Sequence, residues 1–156
     1  MSSDGGPEFH SSARPGFASA VSSHPRRVTA RKRVNEVRVQ FANAPCTVQT
    51  REGLVHAKTG DAIITGTAGE RWRVSRAHFP EKYRPGETTT EGQSGTYLSL
   101  PNTILAVPMA EEFEVVLADG ASRLKGRAGD WLVDYGDGSL GIVSPDIFTT
   151  TYEIIG

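Results

Sequence analysis

Between positions 71 and 76 the chain reads Arg-Trp-Arg-Val-Ser-Arg. Guanidinium groups hold phosphates and carboxylates through paired hydrogen bonds, and an indole offers a stacking surface to a base. Arg71, Arg73, Arg76 and Trp72 are therefore the candidate ligand-binding residues, and an anionic ligand such as a nucleotide or nucleic acid is the class they suit. On a strand, Arg71 and Arg73 project from one face and Trp72 from the other. That separation works against a single surface that both stacks and holds phosphate. A competing reading is that charge docks one part of the chain on another. Residues 60–84 carry five Lys or Arg against three Asp or Glu, a net +2, whereas residues 129–153 carry five acidic residues and no basic ones, a net −5.

A second basic set lies near the start. Residues 1–36 have six Lys or Arg against three acidic residues, a net +3, so the remainder of this −1 chain is −4. Arg26, Arg27, Arg31, Lys32 and Arg33 could meet nucleic acid or an acidic partner. The first thirty or so residues are rich in Ser, Gly, Pro and Ala and show little apolar periodicity. Ordering costs roughly 1–2 kcal/mol per residue, and such a composition buries too little to offset it. Residues 1–32 are thus expected to be a disordered basic arm, with Met1 to Phe9 open to being an expression scar. Asp4 and Glu8 argue against an organelle transit peptide.

Other chemistries find less support. Asp130, Asp134 and Asp137 hint at a calcium loop, but their spacing does not match an EF-hand and the closing Glu is missing. Cys46, His56 and His78 have no metal-ligand spacing. A Cys46 nucleophile would need a positioned histidine. No nucleophile elbow, phosphate loop or dinucleotide fingerprint occurs. No catalytic residue, metal or cofactor is therefore assigned. One cysteine excludes an intramolecular disulfide. No apolar run approaches the roughly 20 residues of a membrane span, and no secretory signal is evident. A cytoplasmic protein without a membrane partner is expected.

The elements that must position these residues come from an internal repeat. Residues 60–83 align without a gap on residues 129–152, with seven identities: Gly60/Gly129, Asp61/Asp130, Gly69/Gly138, Val74/Val143, Ser75/Ser144, Phe79/Phe148 and Tyr83/Tyr152. Chance would give one or two. In each copy Gly-Asp opens an apolar strand, Ala62–Thr65 or Trp131–Tyr135. A glycine-containing turn then returns the chain as a hairpin, and a second strand ends at Val74 or Val143. Ser144, Pro145 and Asp146 make a helix start of one to two turns, while Pro80 shortens the matching helix. Upstream, Val37, Val39 and Phe41 alternate as a half-buried strand and fall near Leu105, Val107 and Met109. Phe113, Val115 and Leu117 alternate likewise.

The expected fold class is mainly β (α+β): two tandem hairpin-rich modules, each with one short helix, packed with pseudo-twofold symmetry. The first module covers 33–84, a polar linker 85–96, and the second module 97–156. Each is near the lower size limit for an independent core. Trp72, Trp131, Phe79 and Phe148 are expected at the centre.

The second copy, GDWLVDYGDGSLGIVSPDIFTTTYE, resembles the PGDYG family of small bacterial and viral proteins, and the first is similar to a module of phage and prophage proteins. The naming motif is altered. Ala128 and Thr59 stand where its proline would be, and Trp131 replaces its tyrosine. The resemblance covers residues 31–84 and about 100–154. It implies a fold and no activity. The chain therefore reads as a non-enzymatic accessory protein that binds a host protein or a small anionic ligand. Nucleic-acid binding through the arm and the basic module is one alternative. A small enzyme with a site between modules, built from groups such as His56, His78 and Glu70, is another.

Overall fold

The computed structural model describes residues 6–11 and 20–156. In chain order the strands are β1 (Glu8–His10), β2 (Val28–Lys32), β3 (Glu36–Phe41), β4 (Cys46–Thr50), β5 (Gly53–Ala57), β6 (Ala62–Thr65) and β7 (Arg71–Val74). They continue as β8 (Tyr83–Pro85), β9 (Gly95–Ser99), β10 (Thr103–Pro108), β11 (Phe113–Val116), β12 (Arg123–Gly126), β13 (Trp131–Asp134), β14 (Leu140–Val143) and β15 (Tyr152–Ile154). Helix α1 (Phe79–Lys82) lies between β7 and β8, and α2 (Pro145–Thr151) between β14 and β15. The chain divides into two compact units. The middle unit is Arg33–Asn102, and the terminal unit joins the described residues up to Lys32 to Thr103–Gly156.

The middle unit is built on an antiparallel sheet of order β7-β6-β3-β9-β8. One face presents Val37, Val39, Ala62, Ile64 and Tyr97, and Phe79 and Tyr83 pack with them. The Phe79 ring stacks on Tyr83 at 5.2 Å and meets Tyr97 edge-on at 5.0 Å. Burying one such side chain contributes roughly 1.5–3 kcal/mol. A further cluster joins Ile63 of β6 to Ala42 and to Val48 and Ala57 of the β4–β5 hairpin.

The terminal unit has a sheet of order β14-β13-β10-β2-β15, again antiparallel. Its core holds Ala30, Ile104, Ala106, Val133, Phe148 and Tyr152. Trp131 lies flat on Phe148 at 4.0 Å, and Phe148 stacks on Tyr152 at 5.1 Å. A second sheet, of order β1-β11-β12, has β1 parallel to β11. The four aromatic residues expected at one centre thus serve two cores. Trp131 and Phe148 belong to one, and Trp72 packs beside Phe79 in the other.

The Gly-Asp pairs have a physical explanation. Gly60 and Gly129 hold φ of +92° and +98°, the left-handed region that a side chain disfavours. Their N–H groups donate to Ala42 O at 2.8 Å and Met109 O at 2.7 Å. The Asp61 carboxylate accepts the Lys58 N–H at 2.8 Å, and Asp130 accepts the Arg127 N–H at 3.0 Å. Each aspartate closes its own turn. Both hairpins end at the expected valines, and α2 starts at Pro145 after Ser144. The Ser144 hydroxyl donates to Asp146 at 2.7 Å instead of capping a backbone N–H. Helix α1 is four residues against seven in α2, as Pro80 predicts.

Three expectations are corrected. Residues 1–32 are not a disordered arm throughout. Val28–Lys32 is an interior strand paired with both β10 and β15, and Val21 and Ala30 are fully buried. Its partners lie more than 70 residues away, so local composition could not reveal them. Met1–Asp4, Gly5 and residues 12–19 lie outside the described residues. The stretch 85–96 does not link modules. It holds the end of β8, the loop 86–94 and the start of β9, two strands that pair with each other, and the change of unit falls after Asn102, not at 97. Tyr97 Oη ties that loop down, donating to Gln93 O at 2.7 Å and accepting the Gly92 N–H at 3.1 Å. Finally, the pairings Arg38–Thr65 and Leu105–Asp134 match Val37 and Val39 with Ile104 and Ala106, one residue from the expected alignment.

Candidate functional site: a basic sheet face

Alternation along β7 works as the sequence implies. Trp72 and Val74 pack on the core, and Arg71 and Arg73 leave by the opposite face. The four predicted ligand-binding residues do not form one site. Trp72 is held by the core. Arg73 Nε donates to Asp61 Oδ2 at 2.9 Å, with the aspartate only 6% exposed. The Arg76 N–H donates to the same carboxylate at 3.4 Å, and the Arg76 side chain lies over Gly60. Two arginines therefore belong to the Gly-Asp turn, and Arg71 remains.

Residues directly opposite on antiparallel strands share a face. Arg71 stands opposite Thr65, Thr65 opposite Arg38, and Arg38 opposite Thr96. One row across the sheet thus reads Arg71-Thr65-Arg38-Thr96. In the next row Glu36 faces Leu98 and Leu98 faces Arg84. Arg38, Arg71 and Arg84 are all exposed, and none has an ion-pair partner among the described residues. With strands about 4.8 Å apart, Arg71 and Arg38 stand roughly 10 Å apart at Cα, and Arg38 and Arg84 roughly 12 Å. Arg71 also lines a shallow cleft of about 240 Å³ with Gln49, Thr50, Arg51, Ala68, Gly69 and Glu70. That is below the roughly 300–1,000 Å³ of pockets that enclose small molecules.

Two of the arm's cations, Arg27 and Arg31, are engaged through their guanidinium groups, whereas the bonds of Arg26 and Arg33 are made by backbone groups. Arg31 pairs with Glu153 at 3.5 Å, and Arg27 Nη1 donates to His24 O at 3.1 Å. The Arg26 N–H donates to His24 Nδ1 at 3.0 Å. Lys32 is half-buried in β2, and Arg33 O accepts the Ser99 hydroxyl at 2.7 Å. The thiol-histidine reading also meets geometry. His56 stands opposite Thr47, so it shares a face with Thr47 while the adjacent Cys46 projects from the other. His78 precedes α1 and approaches Glu81 at 3.5 Å.

Sequence reasoning missed Arg38 and Arg84. The alternation at 37–41 already turned Arg38 outward. The pairing register that aligns it with Arg71 has no local signal.

The PGDYG protein family matches residues 53–153, a span that includes both Gly-Asp turns. No curated protein and no solved structure matches the chain. The match covers well over half of the sequence, and the chain belongs to the PGDYG family.

Proposed function

We propose that this chain is a binding protein whose partner is an extended polyanion, a nucleic-acid strand held through its phosphates by Arg38, Arg71 and Arg84. The observation that carries this reading is the set of three exposed, unpaired arginines on one sheet face. Their wide spacing and the shallow cleft favour a long ligand over a small one. With Trp72 in the core, the face supplies charge and the hydroxyls of Thr65 and Thr96 without base stacking, which suits sequence-independent binding. The likeness to phage and prophage modules fits a protein that acts by occupying a partner.

Fluorescence anisotropy with labelled single-stranded DNA and RNA tests it. Three phosphate contacts predict a slope of log K against log salt of roughly −2, and each Arg→Ala change reduces it by about 0.7. Binding that is absent, or unchanged in the triple variant Arg38→Ala, Arg71→Ala, Arg84→Ala, removes the reading.

We also infer that the two units are copies of one module. The shared strand order, the matched Gly-Asp turns and the matched aromatic stacks support it. On this reading each copy is completed by the strand that leads into the other, β2 for the terminal unit and β9 for the middle unit.

A further inference from the structure

In the terminal unit an extended segment already sits on the edge of a hairpin. Strand β1 runs parallel to β11, with Glu8, Phe9 and His10 beside Glu114, Val115 and Val116. The Glu114 N–H donates to Pro7 O at 3.0 Å, and the Ser11 N–H donates to Val116 O at 2.8 Å. The Ser11 hydroxyl then accepts the Leu140 N–H at 2.9 Å, bridging β11 to β14. Phe9 meets Phe113 edge-on at 6.2 Å, and Arg123 grips Glu8 at 2.6 Å.

The middle unit has the same hairpin without that segment. Cys46–Ala57 and Phe113–Gly126 are the corresponding pairs, each ending three residues before its Gly-Asp turn. Thr47 and Gln49 thus occupy the positions of Glu114 and Val116, and their backbone groups point outward. Among the described residues β5 is the one ladder partner of β4. Leu140, which Ser11 reaches, corresponds to Arg71. The place that Ser11 fills between Val116 and Leu140 corresponds to the place between Gln49 and Arg71, and there the 240 Å³ cleft lies open.

We propose that this open edge takes an extended peptide segment of another protein, paired parallel to β4 through the backbone of Thr47 and Gln49. Its chemistry follows from the substitutions between the two hairpins. Leu54 stands in place of Arg123 and is 56% exposed, so the residue at the Glu8 position is apolar. Cys46 replaces Phe113 and is exposed, so a large apolar side chain at the Phe9 position meets a smaller neighbour than Phe9 does. Arg71 lines the far end and has no ion-pair partner among the described residues, so the residue at the Ser11 position is acidic. Glu70 does not oppose it, because its carboxylate folds into its own turn, accepting the Ala68 N–H at 3.0 Å and lying against Gly66. Parallel strand addition with side-chain pockets at alternate positions is a recurrent mode of peptide capture.

The probe is a labelled peptide Gly-Pro-Leu-Phe-His-Asp-Gly, the Pro7–Ser11 segment carrying Glu8→Leu and Ser11→Asp, titrated into the full chain. Saturable binding is expected, weakened at least tenfold by Gln49→Pro, which removes an outward N–H that the β4–β5 ladder does not use. Arg71→Ala weakens it several-fold, and the sequence-reversed peptide binds poorly because its polarity is wrong. Thr47→Pro gives an independent edge block, and circular dichroism confirms that both proline variants are folded. The pair Arg38→Ala and Arg84→Ala leaves peptide binding intact while lowering nucleic-acid affinity, so the two readings fail separately. No saturable binding, binding unchanged by both proline variants, or tighter binding of the unaltered Pro7–Ser11 peptide overturns the proposal; the last result points to a second copy of this chain instead.

Discussion

Strands β7 and β14 have corresponding places in their sheets and opposite chemistry on one face. Arg71 and Arg73 stand where the terminal unit has Leu140 and Ile142, which are 5% and 7% exposed. The difference extends across the rows. Arg38 corresponds to Leu105, Gln40 to the buried Val107, and Arg84 to Glu153, whose charge is met by Arg31. The outer face of the terminal sheet is mostly apolar, interrupted by Asp134 and the Arg31–Glu153 pair, whereas that of the middle sheet buries Ile63 under the β4–β5 hairpin and leaves Arg38, Arg71 and Arg84 exposed beside Glu36. The same backbone pairing tolerates both, because antiparallel ladders specify register and not what the outer side chains carry. The proposed binding face therefore belongs to the unit whose second face is only partly given over to core.

The largest test of this contrast exchanges the two residues. Leu140→Arg forces a guanidinium into a site only 5% exposed, with the Asp134 carboxylate across the strand as its nearest counter-charge, and destabilises the protein by about 3 kcal/mol in urea unfolding. The reciprocal Arg71→Leu changes stability by less than about 0.5 kcal/mol. Equal effects of the two would mean that the two faces are alike in burial. Next in size is Arg73→Ala, which strands the 6%-exposed Asp61 carboxylate without its cation and costs about 2 kcal/mol. Arg127→Ala costs close to nothing, because Asp130 takes the Arg127 N–H and no guanidinium. A loss at Arg127 matching that at Arg73 would show that the turns depend on charge equally.

The turns, hairpins and helix starts were legible wherever their signals were local. Glycine with positive φ, an aspartate bonding three residues back and a Ser-Pro helix start all act within a few residues. They are visible at Gly60, Asp61, Gly129, Asp130 and Ser144. Strands β2 and β9 were not legible, because each is stabilised by ladders to strands distant in sequence. The alignment slipped by one residue at β10 for a related reason. Ile104, Ala106 and Val107 are all buried, so the strand is apolar on both faces and its period of two is hidden. The basic face was half legible. Arg71 was found by composition, whereas Arg38 and Arg84 needed the register.

The smallest effect concerns the segment that the terminal unit has and the middle unit lacks. Hydrogen bonding from Arg123 holds the Glu8 carboxyl below its usual range, with His10 adding to the same direction, and the same contact raises the Arg123 guanidinium. A carboxylate with a lowered folded pKa contributes stability above its unfolded value of about 4.3 and loses it as the pH falls through the folded value. Acid therefore loosens β1 from β11. Arg123 bonds Glu114 as well, at 2.9 Å, so protonation removes one of its two partners and the hairpin itself persists. At the corresponding position the middle unit has Leu54, so its β4–β5 hairpin lacks this carboxylate–guanidinium contact. Amide exchange at Ser11 and Leu140 should accelerate between pH 5.5 and pH 3 once intrinsic rates are divided out, while Val48 and Val55 hold constant. Arg123→Ala should bring the pH 5.5 behaviour close to that of the wild type at pH 3. Unchanged protection of Leu140 in acid and in the variant would mean that β1 is held by Phe9 and its backbone ladder alone, and the open edge of β4 would then need only an apolar anchor to be filled.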